Sequence, residues 1–176
     1  MSDGLTFLVG GARSGKSRLA MRLATERGRP VAVIATGQAG DDEMTERIRR
    51  HRAERPPHWT TIEEPLELEA AIFSVDASAL VIVDCLTLWV SNLLGAGLTD
   101  VEIEAAASTA AGVAARHAGG AVAVSNEVGM GLVPANALAR RYADLLGRVN
   151  VTWADAAGRS FLVVAGRALP LDGLDG

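Results

Sequence analysis

The chain is nearly without lysine: it has one, against sixteen arginines, in 176 residues. It has one cysteine, Cys85, so no disulfide can form within it. No apolar run reaches the roughly 20 residues that a membrane helix needs, and there is neither an internal repeat nor a low-complexity tract. The N-terminus lacks the basic segment and long apolar stretch of a secretory signal, so a cytoplasmic protein that spans no membrane is expected. Basic residues do not outnumber acidic ones: the formal net charge is −4 and the pI about 5.4. That balance argues against a nucleic-acid partner, whose phosphate backbone calls for a clustered basic surface, and leaves a small nucleotide as the expected anion. The length, with 49% hydrophobic residues, suits one α/β domain over residues 1–176.

The single lysine sits where lysine has a specific use. Gly10-Gly11-Ala12-Arg13-Ser14-Gly15-Lys16-Ser17 fits G-x-x-x-x-G-K-[ST] in full. In such a loop the glycines let backbone N–H groups turn toward phosphate oxygens, Lys16 reaches the β and γ phosphates, and the Ser17 hydroxyl faces Mg²⁺. A compact ammonium serves there better than a planar guanidinium. Arg13 is placed either to touch phosphate as well or to stand in solvent. The flanks agree with the motif: Leu5 to Val9 reads as a buried strand, and Ser17 to Arg27 as a helix stopped by Gly28.

Further along, Val31 to Ala35 is a second strand, ending at Thr36-Gly37, where a backbone turn and a hydroxyl face a ligand site. Asp41 to Glu54 reads as a charged helix closed by Pro56-Pro57, with Met44, Ile48 and His51 on one face. Leu66 to Phe73 is a short amphipathic helix. Leu80 to Asp84 is a strand ending in a carboxylate, which in this setting orients Mg²⁺. Cys85 to Leu94 reads as a core helix with Thr87 and Asn92 as polar exceptions. A helix from Thr99 to about His117 follows, then a strand from Ala121 to Val124 ending at Ser125-Asn126-Glu127. Val128 to Pro134 is an irregular glycine-rich loop, Ala135 to about Ala157 a helix with Arg141 and Asp144 as a surface pair, and Phe161 to Ala165 a last strand before a loosely held tail. The alternation predicts a mainly parallel sheet flanked by helices, an α/β fold of the P-loop NTPase, RecA-like kind.

The spacing of His51 allows two roles: a partly buried helix histidine, or a nucleophile that attacks phosphorus and carries the group covalently. His58, after two prolines, and His117, near a helix end, are weaker candidates. Asn126 and Glu127 stand at a strand end, where they either bind substrate and order water or cap the loop. The loop alone is compatible with a small-molecule kinase, an NTPase, or a GTP-binding regulatory module.

Several blocks together narrow this. The loop, Ile34-Ala35-Thr36, Asp42-Glu43-Met44 with Arg47-Ile48, the stretch from His51 to Pro56, Asp84-Cys85-Leu86-Thr87, and Ser125-Asn126-Glu127-Val128-Gly129-Met130-Gly131 resemble the bifunctional adenosylcobinamide kinase and adenosylcobinamide-phosphate guanylyltransferase family over nearly the whole chain. The resemblance implies phosphorylation of adenosylcobinamide by ATP or GTP, then transfer of GMP from GTP to the adenosylcobinamide phosphate, with Mg²⁺. It implies a GMP-carrying histidine on the helix after the second strand, here His51, and nucleotide contacts from the loop, Ala35, Thr36, Gly37, Arg52, Ala53, Glu54, Glu63 and Asp84. Some relatives carry two adjacent histidines on that helix; here Arg50 precedes His51, the only imidazole of the segment. Similar proteins assemble as trimers, which implies a homo-oligomer.

Overall fold

Apolar runs form the central strands of the sheet, and the helices between the strands cover its two faces. A computed structural model describes residues 4–38, 40 and 42–171. In chain order these form β1 (Leu5–Gly10), α1 (Lys16–Glu26), β2 (Val31–Ala35), α2 (Asp42–Ala53), β3 (Thr60–Glu63), α3 (Leu68–Ser74), β4 (Leu80–Asp84), α4 (Leu86–Gly95), α5 (Asp100–Arg116), β5 (Ala121–Asn126), α6 (Ala137–Ala156), β6 (Arg159–Val164) and β7 (Arg167–Leu171). The sheet order is β3-β2-β4-β5-β1-β6-β7, parallel except for β7, which runs antiparallel to β6. The expected mainly parallel α/β sheet is therefore what forms. Asp41 and the tail beyond Leu171 lie outside the described residues, as does the side chain of Met44.

The sheet separates two apolar layers. On one face Val81, Val83, Ala121 and Ala123 pack with α3, α4, α5 and α6; Trp89, Leu145, Leu146 and Trp153 are buried in this layer. On the other, Leu80, Ile82, Val122 and Val124 pack with Ala20 and Ala24 of α1. Side chains alternate across a strand, so the continuation of each series reaches the carboxyl edge on a known face. Asp84 continues Leu80 and Ile82, and Asn126 continues Val122 and Val124. Both thus stand on the α1 face. The alanines of α1 are small and fully buried, which lets that helix lie close to the strands. Burying side chains such as Leu80 and Val122 contributes roughly 1.5–3 kcal/mol each against the entropy of ordering the chain.

Two strands were not expected from sequence. β3 is a four-residue edge strand, Thr-Thr-Ile-Glu, with no apolar run to mark it. β7 is an edge strand that includes Pro170, joined to β6 by a tight turn in which Ala165 and Gly166 both have positive φ. An edge is where a residue without an N–H is tolerated. The pairing expected between Arg141 and Asp144 is replaced by one between helices: Arg141 Nε lies 2.7 Å from Asp100, whose carboxylate also meets Arg148 at 3.1 Å. Asp100 opens α5, and both arginines on α6 reach it there.

Candidate active site

The phosphate loop joins β1 to α1 and folds around its own lysine. Lys16 Nζ donates to the carbonyls of Gly10 at 2.8 Å and Gly11 at 2.6 Å, and to Ser14 Oγ at 3.3 Å. Gly10 has no substitute at its position, because a Cβ there would lie 2.2 Å from the carbonyl oxygen of Val163 on β6. The β6–β7 turn also reaches the loop, with Gly166 N–H donating to the Ser14 carbonyl at 2.8 Å. Gly15, at φ 103, lies in the left-handed region that favours glycine and leads into α1.

A cleft of about 710 Å³ runs along the carboxyl edge of the sheet from this loop to α2 and β3. Carboxyl ends of parallel strands are where α/β proteins gather ligands. Ala12 to Ser17, Ala35, Gly37, Arg52, Glu63, His51 and Asp84 all line it. Arg13, Arg18, Arg50 and Arg52 stand exposed along it, a cationic rim on a chain of negative net charge. Glu54 lines a smaller recess beneath His51, together with Ser17 and Asp84.

At the centre is a trio. His51 Nδ1 lies 3.9 Å from Asp84 Oδ2, longer than a hydrogen bond, and Arg55 Nη2 donates to the same oxygen at 3.1 Å. Arg55 also reaches Thr61 Oγ1 of β3 at 3.4 Å. Burial alone would raise the pKa of Asp84; the polar attraction of His51 and the charge of Arg55 outweigh it and hold the carboxyl below its ordinary value. Arg55 was not among the expected site residues. Its signal is faint: it directly precedes Pro56, which biases the backbone away from the helix and swings this side chain from the end of α2 toward the strand ends.

Other expected residues fall elsewhere. Thr36 is fully buried, and its hydroxyl is used by the backbone: it donates to the Cys85 carbonyl at 2.7 Å and accepts the Cys85 N–H at 3.0 Å. Its carbonyl accepts from Asn92 Nδ2 at 2.7 Å. Thr36 thus ties β2 to β4, and its hydroxyl does not face the cleft. Ala53 is exposed on the last turn of α2. Arg52 pairs with Glu63 at 3.1 Å, linking α2 to β3. His58 is exposed, and His117 Nε2 meets the Ala79 carbonyl at 2.9 Å, a structural bond remote from the cleft. Asn126 and Glu127 part ways: the Glu127 carboxylate accepts the Gly129 N–H at 2.5 Å and caps the loop, whereas Asn126 lines the cleft.

A glycine-lysine phosphate loop between the first strand and first helix of a parallel sheet defines a P-loop nucleotide-binding α/β protein. The RadB recombinase shares this fold at a TM-score of 0.52 and 17% identity, over 92% of this chain and 74% of that one. The model of the cobinamide kinase / cobinamide phosphate guanyltransferase family, CobU, matches residues 6–171. The chain belongs to that family. It is 48% identical to the bifunctional adenosylcobalamin biosynthesis protein CobP of Pseudomonas aeruginosa over 95% of this chain and 96% of that protein. It is 39% identical to the bifunctional adenosylcobalamin biosynthesis protein CobU of Escherichia coli over 92% of this chain and 96% of that one.

Proposed function

We propose that this chain transfers the γ-phosphoryl group of ATP or GTP to the aminopropanol hydroxyl of adenosylcobinamide. It then moves GMP from GTP onto the resulting phosphate, through a guanylyl group held on His51, to give adenosylcobinamide-GDP in cobalamin biosynthesis. Membership of the family supports both reactions. The observation that carries the histidine route is that α2 sets His51 in the same cleft as the Lys16 loop, with Nδ1 toward Asp84.

With Nδ1 carrying the proton on the Asp84 side, Nε2 keeps its lone pair for the α-phosphorus of GTP. An N–P bond forms, the bridging P–O bond to the β-phosphate breaks, and pyrophosphate leaves with the electron pair. Asp84 offsets the positive charge that then develops on the imidazole. An oxygen of the adenosylcobinamide phosphate next attacks the same phosphorus, and the N–P electrons return to His51. Lys16 and the N–H groups of Gly10 to Ser17 hold phosphate oxygens, while Ala35, Gly37, Arg52, Glu54 and Glu63 bound the nucleotide; Thr36 keeps Ala35 and Gly37 in place through its bonds to Cys85 and Asn92. Mg²⁺ fits Ser17 and Asp84, two hard oxygen donors on one recess. Among the described residues no group of three or more His, Cys, Asp or Glu could hold a metal by itself, which suits an ion that arrives with its triphosphate. Bound there, it would supply neutralisation of phosphate charge.

Mass spectrometry of the corrinoid after incubation with adenosylcobinamide, GTP and Mg²⁺ tests this reading. Adenosylcobinamide-GDP from the wild type, and adenosylcobinamide phosphate alone from His51→Ala, is the expected pair of results. Unmodified corrinoid beside hydrolysed GTP would overturn it in favour of a P-loop NTPase acting on another substrate. We further read the protein as a cytoplasmic homo-oligomer, a trimer, which light scattering in solution checks; no described helix is long and apolar enough to cross a membrane.

A further inference from the structure

Asn126 is held more firmly than a residue that merely ends a strand. Its N–H donates to Thr87 Oγ1 at 2.8 Å, and its carbonyl accepts from Asn150 Nδ2 at 3.0 Å. Asn150 is in turn fixed by Ser125 Oγ, which donates to its Oδ1 at 2.6 Å, and the Thr87 carbonyl accepts from Tyr142 O–H at 3.0 Å. The next residue, Glu127, donates its N–H to the Gly10 carbonyl of the phosphate loop at 3.0 Å. Residues from α4 and α6 therefore fix the backbone of one asparagine, and β1 fixes that of the residue after it. Its side-chain amide makes no hydrogen bond to another described residue; it lies on the α1 face with Val122 and Val124 and lines the cleft.

The register says what it meets there. Asn126 pairs with Gly10 of β1, so it sits beside the loop that would grip the terminal phosphates, while Asp84 and His51 lie on the opposite side of β5, over β4. Adjacent strands are about 4.8 Å apart, so the two sides of this edge can hold different phosphorus atoms of one triphosphate. An amide has a donor and an acceptor on one flat group and does not titrate.

We propose that Asn126 is a catalytic residue of the phosphoryl-transfer step, and not of guanylyl transfer. Its Nδ2–H group donates to an oxygen of the γ-phosphoryl group, and its Oδ1 accepts the hydrogen bond of the acceptor hydroxyl, aligning that oxygen with the phosphorus. The acceptor O–P bond forms, the γ-phosphorus to bridging-oxygen bond breaks, and the nucleoside diphosphate leaves with the electron pair. The hydroxyl proton passes to solvent water, since the amide positions it without taking it. The role rests on the function proposed above.

The two half-reactions separate the outcomes. Phosphorylation of adenosylcobinamide and guanylylation of preformed adenosylcobinamide phosphate are measured on wild type, Asn126→Ala and Asn126→Asp. In the alanine variant, kcat for phosphorylation should fall about 100-fold, as for loss of one donor to developing phosphoryl charge. KM for GTP and the guanylylation rate should stay within about threefold of wild type. Asn126→Asp, isosteric but anionic toward the phosphoryl oxygens, should be slower still in phosphorylation. A side chain needed only for structure would tolerate the isostere and, when lost, would slow both half-reactions together; either result overturns the assignment, as does phosphorylation within about threefold of wild type in Asn126→Ala. Wild type that makes both products beside an unimpaired variant refutes the role of Asn126 alone. Wild type that makes neither product refutes the function and this role together.

Discussion

Lys16 shows how much one side chain can carry. Its ammonium is drawn onto two carbonyls and a hydroxyl of its own loop, contacts that phosphate oxygens would replace. Lys16→Met removes the charge while keeping most of the stem, so both half-reactions should fall by at least about 100-fold in steady-state assays. Gly10 acts by having no side chain. Gly10→Ala would drive a methyl into the Val163 carbonyl, and GTP binding followed by calorimetry should disappear or become too weak to measure. Arg55 is a third kind of case, since its partner depends on it. Arg55→Met leaves the Asp84 carboxylate in a largely enclosed place without its guanidinium. The loss should be on the order of 2 kcal/mol, below the 3–5 of a fully buried pair because both groups retain some contact with water; chemical denaturation measures it.

Among the elements, those that build the phosphate loop and its neighbours were the most legible. β1, β2, β4 and β5 are apolar runs whose both faces are buried, so they need no alternation to be recognised. β3 and β7 lie at the two edges, β3 partly exposed and β7 exposed throughout, so neither needs a buried apolar run to form; nothing in Thr-Thr-Ile-Glu marks a strand, and Pro170 argues against one in β7. Site residues followed the same division. The loop and Asp84 follow from motif and strand end, but Arg55 and the bonding of Asn126 depend on contacts between distant elements. The polar exceptions of α4 illustrate this: Thr87 accepts from Asn126 N–H, and Asn92 donates to the carbonyls of Thr36 and Pro65. Of the three polar residues that interrupt this apolar helix, Ser91 stands exposed, and Thr87 and Asn92 are the ones that fasten strand ends. Asn92→Leu, which keeps the size and removes the donors, should leave two enclosed carbonyls unpaired and cost roughly 1–3 kcal/mol in thermal unfolding.

At the scale of the whole molecule, Asp84 links the site to acid stability. Its carboxyl is held below the ordinary range in the folded chain. Its contribution is thus fully present above the unfolded value, about pH 3.9, and is lost as pH falls from there through the depressed folded value. Thermal melts between pH 3 and 6 should show a shallower acid limb for Asp84→Asn than for wild type. The surface pairs of Asp100 and Glu104 with Arg141 and Arg148 are open to water and should respond to added salt instead.

The order in which the sheet is assembled has a bearing on synthesis. β1 leaves the ribosome well before its sheet neighbours, β5 and β6, and the loop after it takes a hydrogen bond from Gly166 in the β6–β7 turn. A nascent chain that carries the entire glycine-lysine motif therefore still lacks the walls of its phosphate cradle until β5, β6 and the β6–β7 turn have been made. Pairings this distant in sequence make for slow closure, and during that interval β1 is an exposed apolar strand that depends on chaperones or on speed to avoid the wrong partner.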